Sequence, residues 1–259
     1  MTIFTKRLRF HAAWLLFVST LTFFSLAGVA QDTTVSAPLT TGEVMARVVG
    51  MNAVRAKSLE TYTSVRTYHL ECHCIVSKSA DMMVRANYSS PNTKDFFIIS
   101  ESGSDTVRHK VFRKLLEAEE ESLKDDNQRL SAVTPENYTF RLVSYQKTDQ
   151  QEQYVLHAEP KGKSKFLFRG QVWIDGKDFA ITRVQGEPAV NPSWWITKTE
   201  FTRTYEKVGE FWLPHSNDSV TKVRIFGSAV LTINYGDYQV TRAPAVSAAL
   251  SEVEVSSGE

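Results

Sequence analysis

The chain lacks an excess of charge of either sign. Across 259 residues, 30 Lys and Arg face 29 Asp and Glu, a formal balance of +1. Removing an N-terminal segment that carries Lys6, Arg7 and Arg9 brings the balance to about −2, far from the basic surplus that general nucleic-acid binding needs. The chain also lacks the short motifs of common catalytic frameworks. No G-x-S-x-G elbow, H-E-x-x-H pair, phosphate-binding loop or dinucleotide-binding glycine pattern occurs, so no residue is assigned a catalytic role. After Ala30 there is no second apolar run of membrane-spanning length, and there is no internal repeat of useful period.

Cysteine is scarce: Cys72 and Cys74 are the two present. With His69 and His73 they form the one metal-like cluster. On a strand, however, the cysteines point to one face and the histidines to the other. Four such ligands cannot converge on a tetrahedral ion, so neither metal nor cofactor is expected. An i,i+2 pair on an extended strand places its Cα atoms about 6.5–7 Å apart, near the limit for a disulfide. An internal bridge, pairing between chains and free buried thiols all stay open. Asp175 and Asp178 read as turn residues rather than a catalytic pair.

The N-terminus carries a targeting pattern. Lys6, Arg7 and Arg9 precede an apolar stretch from Ala12 to Leu26, and Gly28-Val29-Ala30 offers small residues for a signal peptidase. The alternative is an uncleaved anchor, for which the apolar stretch is short. No cysteine follows to accept a lipid, and Arg7 and Arg9 are not adjacent as a twin-arginine signal requires. Residues 1–30 are therefore expected to be a cleaved Sec-type signal for the periplasm. A disordered leader over 31–39, one domain over 40–242 and a flexible tail over 243–259 are expected to follow.

Thr40-Thr41-Gly42-Glu43 has the form of a capping box and predicts a helix to about Leu59, with Val44, Met45 and Val48 on its apolar stripe. The period then switches to two. Tyr68, Leu70, Cys72, Cys74 and Val76 alternate with polar neighbours, and Met82–Tyr88 and Phe96–Ser100 add further strands. A second helix fits Asp105 to about Arg129, with Glu117, Glu119, Glu120 and Glu121 as its solvated face. After Asn137 every segment is strand-like. Gly227 is expected to mark a bend, and Gly236-Asp237 a turn, within the last strand. About ten strands and two helices imply an α+β fold with a large curved antiparallel sheet.

The segment from Phe166 to Pro214 is the richest in aromatic residues. Phe166, Phe168, Val172 and Ile174 share one strand face, and Leu167 and Trp173 the other. Trp194, Trp195, Phe201 and Trp212 follow. A flat sheet covered on one face cannot bury both sets. A curved sheet wrapped around helices can bury one set and leave an internal pocket, unless the helices fill the interior completely. Phe166, Phe168, Trp173, Trp194, Trp195, Phe201 and Trp212 are the candidate cavity walls.

Gly170-Gln171-Val172-Trp173-Ile174-Asp175, then Phe179–Val184, then Tyr205–Pro214 with its Val-Gly-Glu-Phe-Trp-Leu-Pro ending, resemble the periplasmic outer-membrane lipoprotein-sorting (LolA/LolB-like) superfamily. The resemblance is clearest over 137–240. It implies a half-open β-barrel closed by a helical lid, with an apolar cavity for acyl chains. The expected function is a non-catalytic periplasmic carrier or sensor of lipid or lipidated protein. The alternative is an envelope protein-interaction module with a filled core. A hydrolase would need a nucleophile and base brought together by the fold.

Overall fold

Thr40 opens the first helix. Its backbone N–H and its hydroxyl both donate to the Glu43 carboxylate, at 2.8 and 2.7 Å, and the Glu43 N–H donates back to the hydroxyl, so the capping box forms. The helix, α1 (Thr41–Ser58), buries Val44, Met45 and Val48 on its apolar stripe. In its last turn Arg55 donates to the carbonyls of Asp178 and Phe179, at 2.9 and 3.2 Å. This computed structural model describes residues 38–191, 194, 196–224 and 227–244. The expected signal, most of the leader, Trp195 and the tail from 245 onward lie outside the described residues. No helix among those described is long and apolar enough to cross a membrane.

Ten strands follow: β1 (Leu59–His73), β2 (Lys78–Ser89), β3 (Thr93–Gly103), β4 (Tyr138–Lys147), β5 (Glu152–Pro160), β6 (Phe168–Asp175), β7 (Ile181–Pro188), β8 (Ile196–Val208), β9 (Phe211–Val223) and β10 (Gly227–Arg242). They form one sheet in the order β3-β2-β1-β10-β9-β8-β7-β6-β5-β4, and every neighbouring pair is antiparallel. The first and last strands pair in mid-sheet, and β3 and β4 are the two edges. The fold is the expected α+β class, with a curved sheet that stays open. Gly170 faces Gly186 across β6 and β7, and a Cβ at either position would run into the backbone of the neighbouring strand. The glycine that opens the Gly170–Asp175 motif is thus a requirement of close strand approach.

β3 and β4 are consecutive in the chain but lie at opposite edges, so the segment joining them has to cross a face of the sheet. It crosses as α2 (Asp105–Val107), a π-helical turn (Arg108–Phe112), α3 (Arg113–Ser122) and α4 (Asp125–Ser131). The single helix expected from Asp105 to about Arg129 is therefore broken. Lys124 is extended (φ −63°, ψ 138°) and redirects the chain. Asn137 then receives it, its amide donating to the carbonyls of Arg129 and Ala132.

Two details differ from the reading of the sequence. β1 ends at His73 and the chain bends at Cys74, which draws the Cα atoms of Cys72 and Cys74 to 5.3 Å, and the two are disulfide-bonded. The wider spacing assumed a strand running through both. Gly236-Asp237 makes no turn. β10 continues through it with a register shift against β1, at which Asp237 adopts φ 52°.

Candidate binding cavity

The strand register places one lateral row of side chains on a single face of the sheet, because directly opposed residues of antiparallel strands share a face. The row runs Leu156, Val172, Val184, Arg203, Asn217, Ile233, Tyr68, Met82. At both ends it is buried and apolar. α1 covers one end, where Val44, Met45 and Val48 pack with Tyr154, Leu156, Phe168 and Val172. The β3–β4 crossover covers the other, where Phe112 and Leu116 pack with Tyr68, Met82, Val84 and Ile233. Between the two covers the row turns polar, at Arg203 and Asn217.

A hollow of about 560 Å³ opens there, within the size range of small-molecule sites. Leu115, Ala118 and Glu119 of α3 form its roof. Phe201, Arg203 and Tyr205 of β8, with Ile233 and Tyr235 of β10, form its floor. Phe166, Leu167 and Phe168 close one end. Phe168 packs against Tyr138 and Phe201, with ring centroids 5.1 and 5.9 Å away. Burial pushes the Tyr138 hydroxyl up to about 12, although that hydroxyl accepts a hydrogen bond from the Phe168 N–H.

Of the sequence-predicted walls, Phe166, Phe168 and Phe201 meet at this hollow. Trp173 lies on the opposite face of β6, under the guanidinium of its cross-strand neighbour Arg183, 4.9 Å from the ring centre. Trp212 is half-buried, and its indole N–H donates to Asp178 at 2.9 Å. Asp178 also pairs with Lys207 at 2.6 Å, and that bond, with the indole, holds its carboxyl below the usual range. Trp194 sits on an exposed turn, where its carbonyl accepts from Arg224. These three tryptophans do not line the hollow. Asp175 accepts from the N–H groups of Lys177 and Asp178, which is the expected turn.

The acidic run of the crossover departs from the expected solvated face at Glu119. Its carboxylate takes Arg66 on one oxygen and Lys94 on the other, each at 2.7 Å. Arg66 is 1% and Lys94 8% exposed at the side chain. Burial pushes the Glu119 carboxyl up, but Lys94 and Arg66 more than offset it and hold it at about 2. Burial works against the charge on Arg66, and Glu119 reverses that effect and holds its guanidinium protonated. The Arg66 guanidinium also lies 4.9 Å from the Tyr235 ring centre and 5.3 Å from that of Phe96.

Arg66 and Arg203 escaped the reading of the sequence, though each carries a signal. Arg66 shares the strand parity of Tyr68 and Leu70, and Arg203 that of Phe201 and Tyr205. Each is an arginine on an inward, aromatic-rich strand face. A second hollow, of about 510 Å³, lies on strands β6 to β10 beside Arg169, Glu187, Glu200 and Asp218. It is more open to solvent than the first.

No protein-family model matches the chain, and no curated protein is similar to it. Among solved structures it is similar to a LolA superfamily protein from Nitrosomonas europaea (9% identity, 80% of this chain and 96% of that one, TM-score 0.36). It is likewise similar to a domain from Vibrio parahaemolyticus named for outer-membrane lipoprotein sorting (13% identity, 78% and 94%, TM-score 0.39) and to a DUF1329 family protein from Desulfovibrio piger (9% identity, 79% and 94%, TM-score 0.39). At these scores the likeness is distant, and the fold stands on the strand order and register.

Proposed function

We propose that the protein binds acyl chains in the hollow between the sheet and the β3–β4 crossover, as a non-catalytic carrier or sensor of lipid or lipidated protein in the periplasm. The observation that carries this reading is the unfilled space of about 560 Å³ on the covered face, walled by Phe166, Phe168, Phe201, Leu115 and Ile233. A core whose helices filled the interior would leave no such space. An acyl chain entering it gains roughly 0.8 kcal/mol per buried CH₂. The crossover, broken at Lys124 and docked over the hollow through α3, acts as the lid.

A second reading, docking of an envelope protein, draws on a different surface. Edge strand β3 exposes Phe97 and Ile99, at 56% and 48%. Native mass spectrometry of the detergent-free protein, followed by organic extraction, separates the two. A stoichiometric lipid or lipopeptide supports the cavity reading. A ligand-free protein that also refuses an added fluorescent acyl probe removes it and leaves the β3 edge as the surface to pursue.

A further inference from the structure

We infer that the ligand of this hollow is anionic: an amphiphile whose acyl chain lies against the aromatic walls and whose single phosphate or carboxylate is held by Arg203. This rests on the acyl-binding reading above and adds the chemistry of the head group. Arg203 sits mid-row between Val184 and Asn217 and lines the hollow. It has no carboxylate ion-pair partner among the described residues. Its strongest polar neighbour is the Tyr205 hydroxyl, and the carboxylate acting on it from a distance, Glu119, is already shared by Arg66 and Lys94.

Of the charged side chains that line the hollow, Glu119 is taken up by Arg66 and Lys94 from outside the lining, and Lys165 is matched by Glu121 at 3.2 Å, which leaves Arg203 as the lining cation without a carboxylate of its own among the described residues. Arg203 is itself exposed, so its guanidinium is accessible to an anion that enters beside the aromatic walls. Arginine also suits this task, since its planar fork presents paired donors to a carboxylate or phosphate. Next to it the buried Asn217 Oδ1 has no hydrogen-bond partner, so the side-chain amide is free to turn its N–H donors toward a bound oxyanion. The aromatic walls and this polar floor meet at Phe201 and Arg203, two residues apart on the same face of β8.

The test is displacement of an uncharged fluorescent acyl probe from the full chain by three ligands of equal chain length: palmitate, 1-palmitoyl lysophosphatidate and uncharged monopalmitin. In the wild type at least one anion should displace the probe at a concentration about tenfold below that of monopalmitin, the worth of one charge-assisted contact. The better anion identifies carboxylate or phosphate as the group held. Arg203→Met should bring the anions to the level of monopalmitin without changing monopalmitin itself, and Arg203→Lys should keep most of the preference. Equal displacement by all three ligands in the wild type overturns the inference, and that comparison needs no variant to fold. So does a full anion preference in Arg203→Met. Failure of the wild type to bind the probe at all removes the acyl-binding reading and this inference with it.

Discussion

The two ends of the covered face are held by different forces. Over β4 to β7, α1 docks through Val44, Met45 and Val48 onto Tyr154, Leu156 and Val172, with Arg47 over the Phe179 ring and Arg55 on the carbonyls of Asp178 and Phe179 at its margin. Over β1 to β3, α3 docks through Leu116 beside Phe112, and also through Glu119, which reaches down to Arg66 and Lys94. Apolar docking is insensitive to pH and gains mainly from area removed from water. A buried ion cluster adds little net stability, but it ties the helix in one place and is expensive to break. One cover is thus a permanent part of the core, while the other is fastened by a group that can titrate, beside the hollow.

The largest expected effects test that difference directly. Glu119→Gln leaves Arg66 and Lys94 without their counter-charge and should cost about 3 kcal/mol in denaturant unfolding. Leu156→Ala, at the α1 end, should cost about as much through a cavity in the apolar core. Their pH dependence should separate them. The Glu119 carboxyl is held at about 2 when folded, below its ordinary value of 4.5. Its contribution is complete above about pH 4.5 and is lost as pH falls through about 2. Stability of the wild type and of Leu156→Ala should therefore fall in parallel across that window. Glu119→Gln should fall less steeply, the remaining slope belonging to groups such as Asp178 that are also held low.

Smaller effects refine the picture. Phe201→Ala should weaken binding of an acyl probe about fivefold, because it removes a wall of the hollow, while Trp173→Ala, on the opposite face of the neighbouring sheet region, should leave binding unchanged. Equal losses in the two variants would mean that the ligand does not lie on the covered face. Thr40→Ala should cost about 1 kcal/mol by removing the α1 cap, with no effect on the acid slope assigned to Glu119.

The α1 half was the more legible in the sequence, for a physical reason. Its elements announce themselves by local rules: a capping box at Thr40, a helical stripe at Val44, Met45 and Val48, and period-two strands such as Tyr154, Leu156 and Ala158. The other half depends on pairings across long stretches of chain. Glu119 looks like one of four solvated acids until the fold brings Arg66 and Lys94 beneath it, 53 and 25 residues away. The same limit applies to the cavity walls. Parity correctly separated Phe168 from Trp173, because alternation is local, but it misplaced Leu167, which precedes β6 and is buried beside Phe168 rather than on the Trp173 face. It could not place Trp194, which precedes β8 on a turn, nor show that Arg203 would have Val184 and Asn217 as neighbours. The break at Lys124 was hidden because no proline or glycine marks it.

The most direct test of the central claim is photo-crosslinking of the protein with a diazirine-bearing fatty acid, followed by peptide mapping. The account predicts labels in three segments that are distant in sequence and meet at the hollow: Leu115–Glu119, Phe166–Phe168 and Phe201–Tyr205. Labels gathered instead at Trp173 and Arg183, or on Phe97 and Ile99 of the β3 edge, would contradict it.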